Sequence, residues 1–354
     1  TGDGTPLYQR ARDLARTVEQ TANIRVFKHT SVVGSYTNNL ITAFQVGGAK
    51  DAFTERYVEI RSDSVVVATG CIERPLVFDN NERPGVMQVG CAHRLARTWG
   101  LLPGSAAVFS VGHDLGLEAA VDLFDLGLKI NGVADAREDG HDPELLLALA
   151  ERQIPVLKGW VATRAHGGKA VKKVTVATVE GTVERQFACD LLVASAGLTP
   201  VNGPMLLAGA KMSYDSQTGY FLPSALPGNM FPAGRLTGIN DPDAIEASGR
   251  LAGLEAASAA GADTGAAVAD ARSALSSLPG PQRGCKLVTA PVKGRKSFIC
   301  FDEDTTIKNI KQAVDQGFDV PELIKRFTSA GTGPGQGGIP GHNLPLYVAQ
   351  YTAS

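Results

Sequence analysis

Ser64-Val65-Val66-Val67-Ala68-Thr69-Gly70 is a short apolar, β-branched run that stops on a glycine. Such a run suits a strand buried on both faces of a parallel sheet. Met230-Phe231-Pro232-Ala233-Gly234-Arg235 repeats the pattern much later, and an Ala-rich helix over about 241–261 follows it. A glycine after each strand allows a tight turn and a close approach of backbone to a pyrophosphate or ribose. Between the two runs lies a second alternation of elements. Ala106–Ser110 reads as a strand, Leu115–Leu126 as a helix ending at Gly127, Lys129–Ala134 as a strand, Pro143–Arg152 as a helix and Val156–Trp160 as a strand. A hairpin over Val171–Val179 and Arg185–Cys189 follows, and Leu191-Leu192-Val193-Ala194-Ser195 closes the unit as a second buried strand. Strands alternating with helices imply βαβ units and a doubly wound sheet. A chain that leaves one such domain after Ala-Thr-Gly, builds another and returns has the skeleton of an α/β protein with two Rossmann domains of the glutathione-reductase type.

The expected division is residues 1–103 with 191–262 for the first dinucleotide-binding domain and 104–190 for the inserted second one. Residues 285–354 form a small helical domain. Upstream, Leu7, Ala11, Leu14, Ala15 and Val18 recur at helical spacing within residues 6–22. Ile24–Phe27, Ser31–Tyr36, Leu40–Val46 and Phe53–Arg61 read as strands. Residues 262–284 are rich in Ala, Gly, Ser and Pro and read as a helix tail and a linker, and Thr305–Gln316 and Val320–Phe327 read as short helices.

Composition excludes several classes. The 354 residues carry 34 Lys and Arg against 36 Asp and Glu, a formal charge of −2, without the basic excess of a nucleic-acid binder. A hydrophobic content of 44% with 20% charged residues excludes disorder as the main state. No apolar run approaches the roughly 18–20 residues of a membrane span. Five cysteines, at 71, 91, 189, 285 and 300, are widely spaced and odd in number. They form neither a disulfide framework nor a CxxC metal pair, so a reducing, cytoplasmic setting is expected. The six histidines show no metal spacing and no Cys or Ser partner.

Ala68-Thr69-Gly70-Cys71-Ile72-Glu73-Arg74-Pro75-Leu76-Val77-Phe78-Asp79-Asn80-Asn81-Glu82-Arg83-Pro84-Gly85-Val86-Met87 is more specific than the glycines alone. It resembles the α subunit of heterotetrameric sarcosine oxidase and its relatives: N-methylglutamate, proline and opine dehydrogenases and hydrogen cyanide synthase. Phe301-Asp302-Glu303-Asp304, Lys325-Arg326-Phe327-Thr328 and Gly331-Thr332-Gly333-Pro334 resemble the small helical domain of the same subunits. The resemblance implies a subunit of a flavin-dependent enzyme acting on CH–NH donors, for oxidative demethylation of a secondary N-methyl amine such as sarcosine. It implies a β-type partner subunit bearing the flavin, smaller subunits besides, a hetero-oligomer, and oxygen as acceptor. It further implies noncovalent NAD or FAD in the first domain and FMN at the interface with the partner. No catalytic residue is expected in this chain.

Departures from the family sharpen the expectations. The family's amino-terminal strand, glycine loop and helix, which hold a pyrophosphate on a helix N-terminus, have no counterpart near residue 1, and the chain is expected to be truncated at both ends. In the second domain Ser110-Val111-Gly112-His113-Asp114-Leu115-Gly116-Leu117-Glu118 keeps only Gly116 and Glu118 of a GxGxxGxE loop, so this domain is expected to hold no cofactor. Asp302 and Gly335 stand where relatives with a two-iron two-sulfur cluster need cysteines, leaving Cys300 alone, and no cluster is expected.

Candidate cofactor-binding residues follow from the same comparison. Val32 is expected to face an adenine ring, and Thr69, Gly70 and Gly234 to line the dinucleotide. Arg235 replaces the acid that holds a flavin ribityl hydroxyl, which suits NAD better than FAD. Lys325, Arg326, Thr328 and Thr332 form a phosphate-facing set for FMN, or a solvated helix end. Two other readings stay open: an FAD-dependent NAD(P)H oxidoreductase, which needs an intact second glycine loop, and a non-catalytic scaffold subunit.

Overall fold

The computed structural model describes residues 6–49, 51–281, 289–292, 296–338 and 340–352. The chain forms two compact units: Thr1–Ile72 with Pro200–Arg283, and Glu73–Thr199 with Gly284–Ser354.

In the first unit the helix Leu7–Gln20 is followed by an antiparallel sheet of Thr30–Tyr36, Leu40–Val46 and Glu55–Arg61, in that order. The exit strand Val65–Val67 pairs in parallel with the return strand Met230–Pro232. Lys211–Asp215 and Tyr220–Ala225 form a hairpin, and the return strand leads to the helix Pro242–Ala259. Val67, Met205, Ala208, Ala210, Met230 and Leu236 form a buried cluster. Two expectations fail here. Ile24–Phe27 is not a strand, because among the described residues it has no neighbour to complete a ladder. The exit strand is not buried on both faces: Val66 is 41% exposed in a sheet of only two strands.

The second unit is built on a parallel sheet of five strands in the order Val86–Met87, Leu191–Ala194, Ala106–Val111, Lys129–Asp135 and Val156–Lys158. Alternation along Ala106–Val111 places its residues in two different cores. Ala107, Phe109 and Val111 pack with Val89, Ala92, Leu117, Leu123 and Leu149 from the helices Val89–Trp99, Asp114–Asp125 and Pro143–Glu151. Val108 packs with Val161, Ala162, Val174 and Val176 of the antiparallel sheet Trp160–His166, Lys173–Thr178 and Glu184–Ala188. Ser110 points the same way and its hydroxyl accepts the Ala162 N–H at 2.9 Å. The lead-in is clamped by Asp190, whose carboxylate accepts the N–H of Ser105 at 3.0 Å and of Ala106 at 2.8 Å.

The carboxy-terminal part of this unit packs a short hairpin, Phe298–Cys300 with Thr305–Thr306, against the helices Ile307–Asp315, Pro321–Thr328 and Pro340–Thr352. The helix Gly265–Ser276 occupies part of the expected linker, and Cys285 lies outside the described residues. The fold is α/β, with two dinucleotide-binding-type domains and a small helical domain. No helix among the described residues is long and apolar enough to cross a membrane.

Candidate nucleotide-binding site

The exit and return strands bring two of the predicted segments together. Val67 lies opposite Pro232, and the Ala233 N–H donates to the Val67 carbonyl at 2.9 Å. Thr69-Gly70 and Gly234-Arg235 therefore leave the sheet side by side, at the carboxyl end of parallel strands, where open α/β sheets bind ligands. Both glycines are left-handed, with φ of 68° at Gly70 and 70° at Gly234.

Their surroundings differ. A Cβ added to Gly70 meets nothing within 4 Å, so its backbone faces open space that a ligand can fill. Gly234 is buried and its N–H donates to the Ser248 hydroxyl at 2.6 Å, so this donor is spent inside the chain. Its glycine serves the turn into the following helix. The Thr69 hydroxyl donates to the Val201 carbonyl at 2.8 Å and keeps its lone pairs. Arg235 is exposed, and among the described residues its guanidinium has no acidic partner. Its carbonyl accepts the Cys71 thiol at 3.2 Å, and burial pushes that thiol up to about 12, so Cys71 is a protonated structural group. Val32 sits on the strand Thr30–Tyr36 beside a bulge, with its side chain 55% exposed. An open cradle beside a free guanidinium fits the phosphates of a dinucleotide.

The corresponding place in the second unit is filled by the chain itself. Asp135 ends its strand where a dinucleotide-binding acid would meet a ribose. Its carboxylate instead accepts Arg137 Nη2 at 2.8 Å and the Arg137 backbone N–H at 2.9 Å. The same Nη2 lies 2.8 Å from Asp114 Oδ1, at the start of the helix Asp114–Asp125. His113 occupies the glycine-loop position: its Nδ1 accepts the Gly116 N–H at 3.2 Å, which puts the ring proton on Nε2, 2.9 Å from Ser195 Oγ. Burial lowers His113 to about 4, so it is neutral. The Ser195 hydroxyl bonds in turn to Glu73, whose carboxylate accepts the N–H groups of Val89 at 2.8 Å and Gly90 at 2.8 Å. Gly116 has a packing reason of its own, because a Cβ there would lie 2.5 Å from Val111 Cγ1.

The Ser195 partner of His113 overturns the reading that no histidine has one. The capping role of Glu73 was equally invisible in sequence. Only a fold that brings residues 82 positions apart together reveals the first.

Lys325, Arg326, Thr328 and Thr332 lie in the helical part of the same unit. Lys325 and Arg326 both pair with Glu322 on their own helix, at 3.5 and 3.2 Å. The Thr328 hydroxyl donates to the Ile324 carbonyl at 2.7 Å and that of Thr332 to the Ser329 carbonyl at 2.8 Å. In the glycine-rich loop the Gly335 N–H donates to Asp302 Oδ2 at 2.7 Å, and the Gly331 N–H points at Cys300 Sγ at 3.4 Å. The loop thus already holds one anion, the Asp302 carboxylate. Among the described residues no group of three or more His, Cys, Asp or Glu could hold a metal ion.

Known proteins resemble this chain in sequence and in fold. Residues 294–353 match the sarcosine oxidase A3 domain. Over 345 residues the chain is 30% identical to the alpha subunit of sarcosine oxidase from Corynebacterium sp. (strain P-1), a match covering 91% of this chain and 34% of that protein. The chain is similar to the α subunits of sarcosine oxidases. It spans about a third of the length of the sarcosine oxidase α subunits it matches. One of the opine oxidase subunits of Agrobacterium tumefaciens (strain Ach5) is 26% identical over 329 residues, covering 83% of this chain and 65% of that one. Among solved structures, L-proline dehydrogenase from P. horikoshii aligns with a TM-score of 0.75 at 20% identity, over 97% of this chain and 63% of its own. Thioredoxin reductase from T. acidophilum aligns with a TM-score of 0.53 at 17% identity, over 71% and 79%. These structural likenesses concern the fold.

Proposed function

We propose that this chain is the nucleotide-holding part of a sarcosine-oxidase-like α subunit, in a hetero-oligomer that oxidatively demethylates a secondary N-methyl amine with oxygen as acceptor. The observation that carries the reading is the pairing of exit and return strands, which sets the open Gly70 cradle beside the free Arg235 guanidinium. Gly70 and Arg235 would hold the phosphates of a noncovalent dinucleotide, with Thr69 accepting from a ribose hydroxyl and Val32 towards the adenine. A cation at 235 in place of a ribityl-binding acid favours NAD over FAD. When bound to a β-type partner subunit, a flavin supplies the two-electron oxidation of the amine, and this chain contributes no catalytic group. FMN would meet Lys325 and Arg326 at the partner interface, with a phosphate replacing Glu322 as their counter-charge. Thr328 and Thr332 then only shape the helix end, since both hydroxyls are spent on carbonyls. Asp302 on the Gly335 N–H supports a helical domain without an iron–sulfur cluster.

The rival reading, a stand-alone NAD(P)H oxidoreductase, needs a second nucleotide site where Arg137 and His113 now sit. Denaturing mass spectrometry of the native assembly separates the two. A flavin-bearing partner chain together with released NAD supports the amine-oxidase reading. A single chain releasing FAD and turning over NADH would overturn it.

A further inference from the structure

The antiparallel sheet of the first unit ends on Glu55–Arg61, which pairs on one side with Leu40–Val46 in continuous register, Leu40 opposite Arg61 and Val46 opposite Glu55. Its other edge has no strand against it among the described residues. A groove of about 550 Å³ is lined by Arg25, Phe27 and six consecutive residues of this strand, Arg56 to Arg61. Successive side chains of a strand point to opposite faces. A groove touching every one of them therefore runs along the free edge and not over one face. Arg25 and Phe27, on the extended stretch that has no ladder partner, form the opposite wall.

The walls are cationic and aromatic. Arg25 stacks over Phe27 at 4.6 Å, and Arg56 is held by Gln45 Oε1 at 2.7 Å and stacks over Phe53 at 4.2 Å. Tyr57 is 58% exposed, and the Arg61 side chain makes no hydrogen bond or ion pair among the described residues. Glu59 is the one carboxylate in the lining, so three guanidinium groups face one acid in a chain whose total charge is −2. A long, unpaired edge is normally blunted or covered, because its N–H and C=O groups template another strand.

We propose that this edge is a docking slot for an extended, acidic segment of a partner chain, which adds to Glu55–Arg61 as the next strand of the sheet. Backbone pairing supplies the affinity, and acidic side chains meeting Arg25, Arg56 and Arg61 supply the selectivity. A strand of this length runs for about 23 Å, which suits a peptide better than a mononucleotide, and none of the groove residues is a glycine that would let a phosphate approach the backbone.

The test uses the 354-residue chain and a fluorescein-labelled heptapeptide of valine and glutamate that carries glutamates on both faces of a strand, followed by fluorescence anisotropy and hydrogen exchange. The acidic peptide is expected to bind and to slow exchange within residues 55–61, and its lysine counterpart to bind at least tenfold more weakly. Arg25→Glu with Arg61→Glu should lower the affinity at least tenfold, with an unchanged circular dichroism spectrum because both side chains are exposed. Unchanged affinity in the double variant, protection confined to other residues, or displacement of the peptide by ATP at equal affinity would each overturn the proposal, the last by making the groove a small-anion site.

Discussion

Arg137 folds its guanidinium back onto Asp135, with Nη2 2.8 Å from Oδ2 and Nε 3.1 Å from Oδ1, and both residues are buried. An ion pair so placed gains little over apolar packing, yet removing one partner strands the other charge. Arg137→Met leaves the carboxylates of Asp135 and Asp114 without their cation. The expected loss is about 3–5 kcal/mol, read as a lower urea midpoint. Adding Asp135→Asn should recover part of it, a coupling that a double-mutant cycle measures.

His113 makes stability depend on pH. Its folded value, about 4, lies below its ordinary 6.5 because it is buried, so protons favour the unfolded chain. The contribution is complete above about pH 6.5 and is lost as pH falls towards 4. A shift of this size corresponds to about 3 kcal/mol. His113→Asn keeps a side chain able to cap the helix and removes the titration. Urea midpoints of the variant should change less between pH 6.5 and 4 than those of the parent; parallel profiles would show that His113 is not the titrating group.

Asp302 and Gly335 fit only as a pair. A Cβ at position 335 would lie 2.5 Å from Asp302 Oδ2, and Gly333 is crowded by the same side chain. Gly335→Ala alone should cost about 0.5–1 kcal/mol, because the Asp302 carboxylate must swing aside and give up the Gly335 N–H. Asp302→Ala alone should cost about 0.5–1.5 kcal/mol, the net worth of one hydrogen bond, because the exposed Gly335 N–H can turn to water. The double variant should cost less than the sum, because the alanine then occupies the space the carboxylate vacates. Thermal melts of all four proteins check this.

At Gly70 the conformation is strained for any other residue but the space is open. Gly70→Ala should cost roughly 1–2 kcal/mol of stability and, on the proposed function, weaken nucleotide retention by more than its stability cost. Arg235→Glu should weaken retention with no loss of stability. Equilibrium dialysis with NAD and with FAD, run beside urea melts, distinguishes the two effects.

The parts of the fold set by local pattern were legible. Apolar runs and their glycines located the exit strand, the return strand and the sheet of the second unit; in that sheet a buried parallel strand needs a continuous apolar sequence. What depends on a distant neighbour was not. Ile24–Phe27 has strand composition and no strand beside it. The helix Pro340–Thr352 was missed because it carries Pro345 and follows a glycine-rich loop, both breakers by local rules. In the site, the losses at Val111 and His113 were readable as a damaged glycine loop. A turn-capping role for Asp135 was readable from its place at the strand end, but its pairing with the Arg137 side chain was not.

The strand Ala106–Val111 divides its residues between two apolar cores on opposite faces of its sheet, with Phe109 among the helices and Ser110 hydrogen-bonded to the antiparallel sheet. Shifting the strand by a single position would drive a hydroxyl into a hydrocarbon layer and an aromatic ring towards a backbone amide. Asp190 is the stop that forbids the shift, by gripping Ser105 and Ala106 at the point of entry. An inserted residue between Ser105 and Ala106 is therefore far less tolerable than one a few positions earlier at Leu101 and Leu102, where both side chains are exposed. Anyone grafting a reporter or a linker into this region has one safe side of a two-residue clamp.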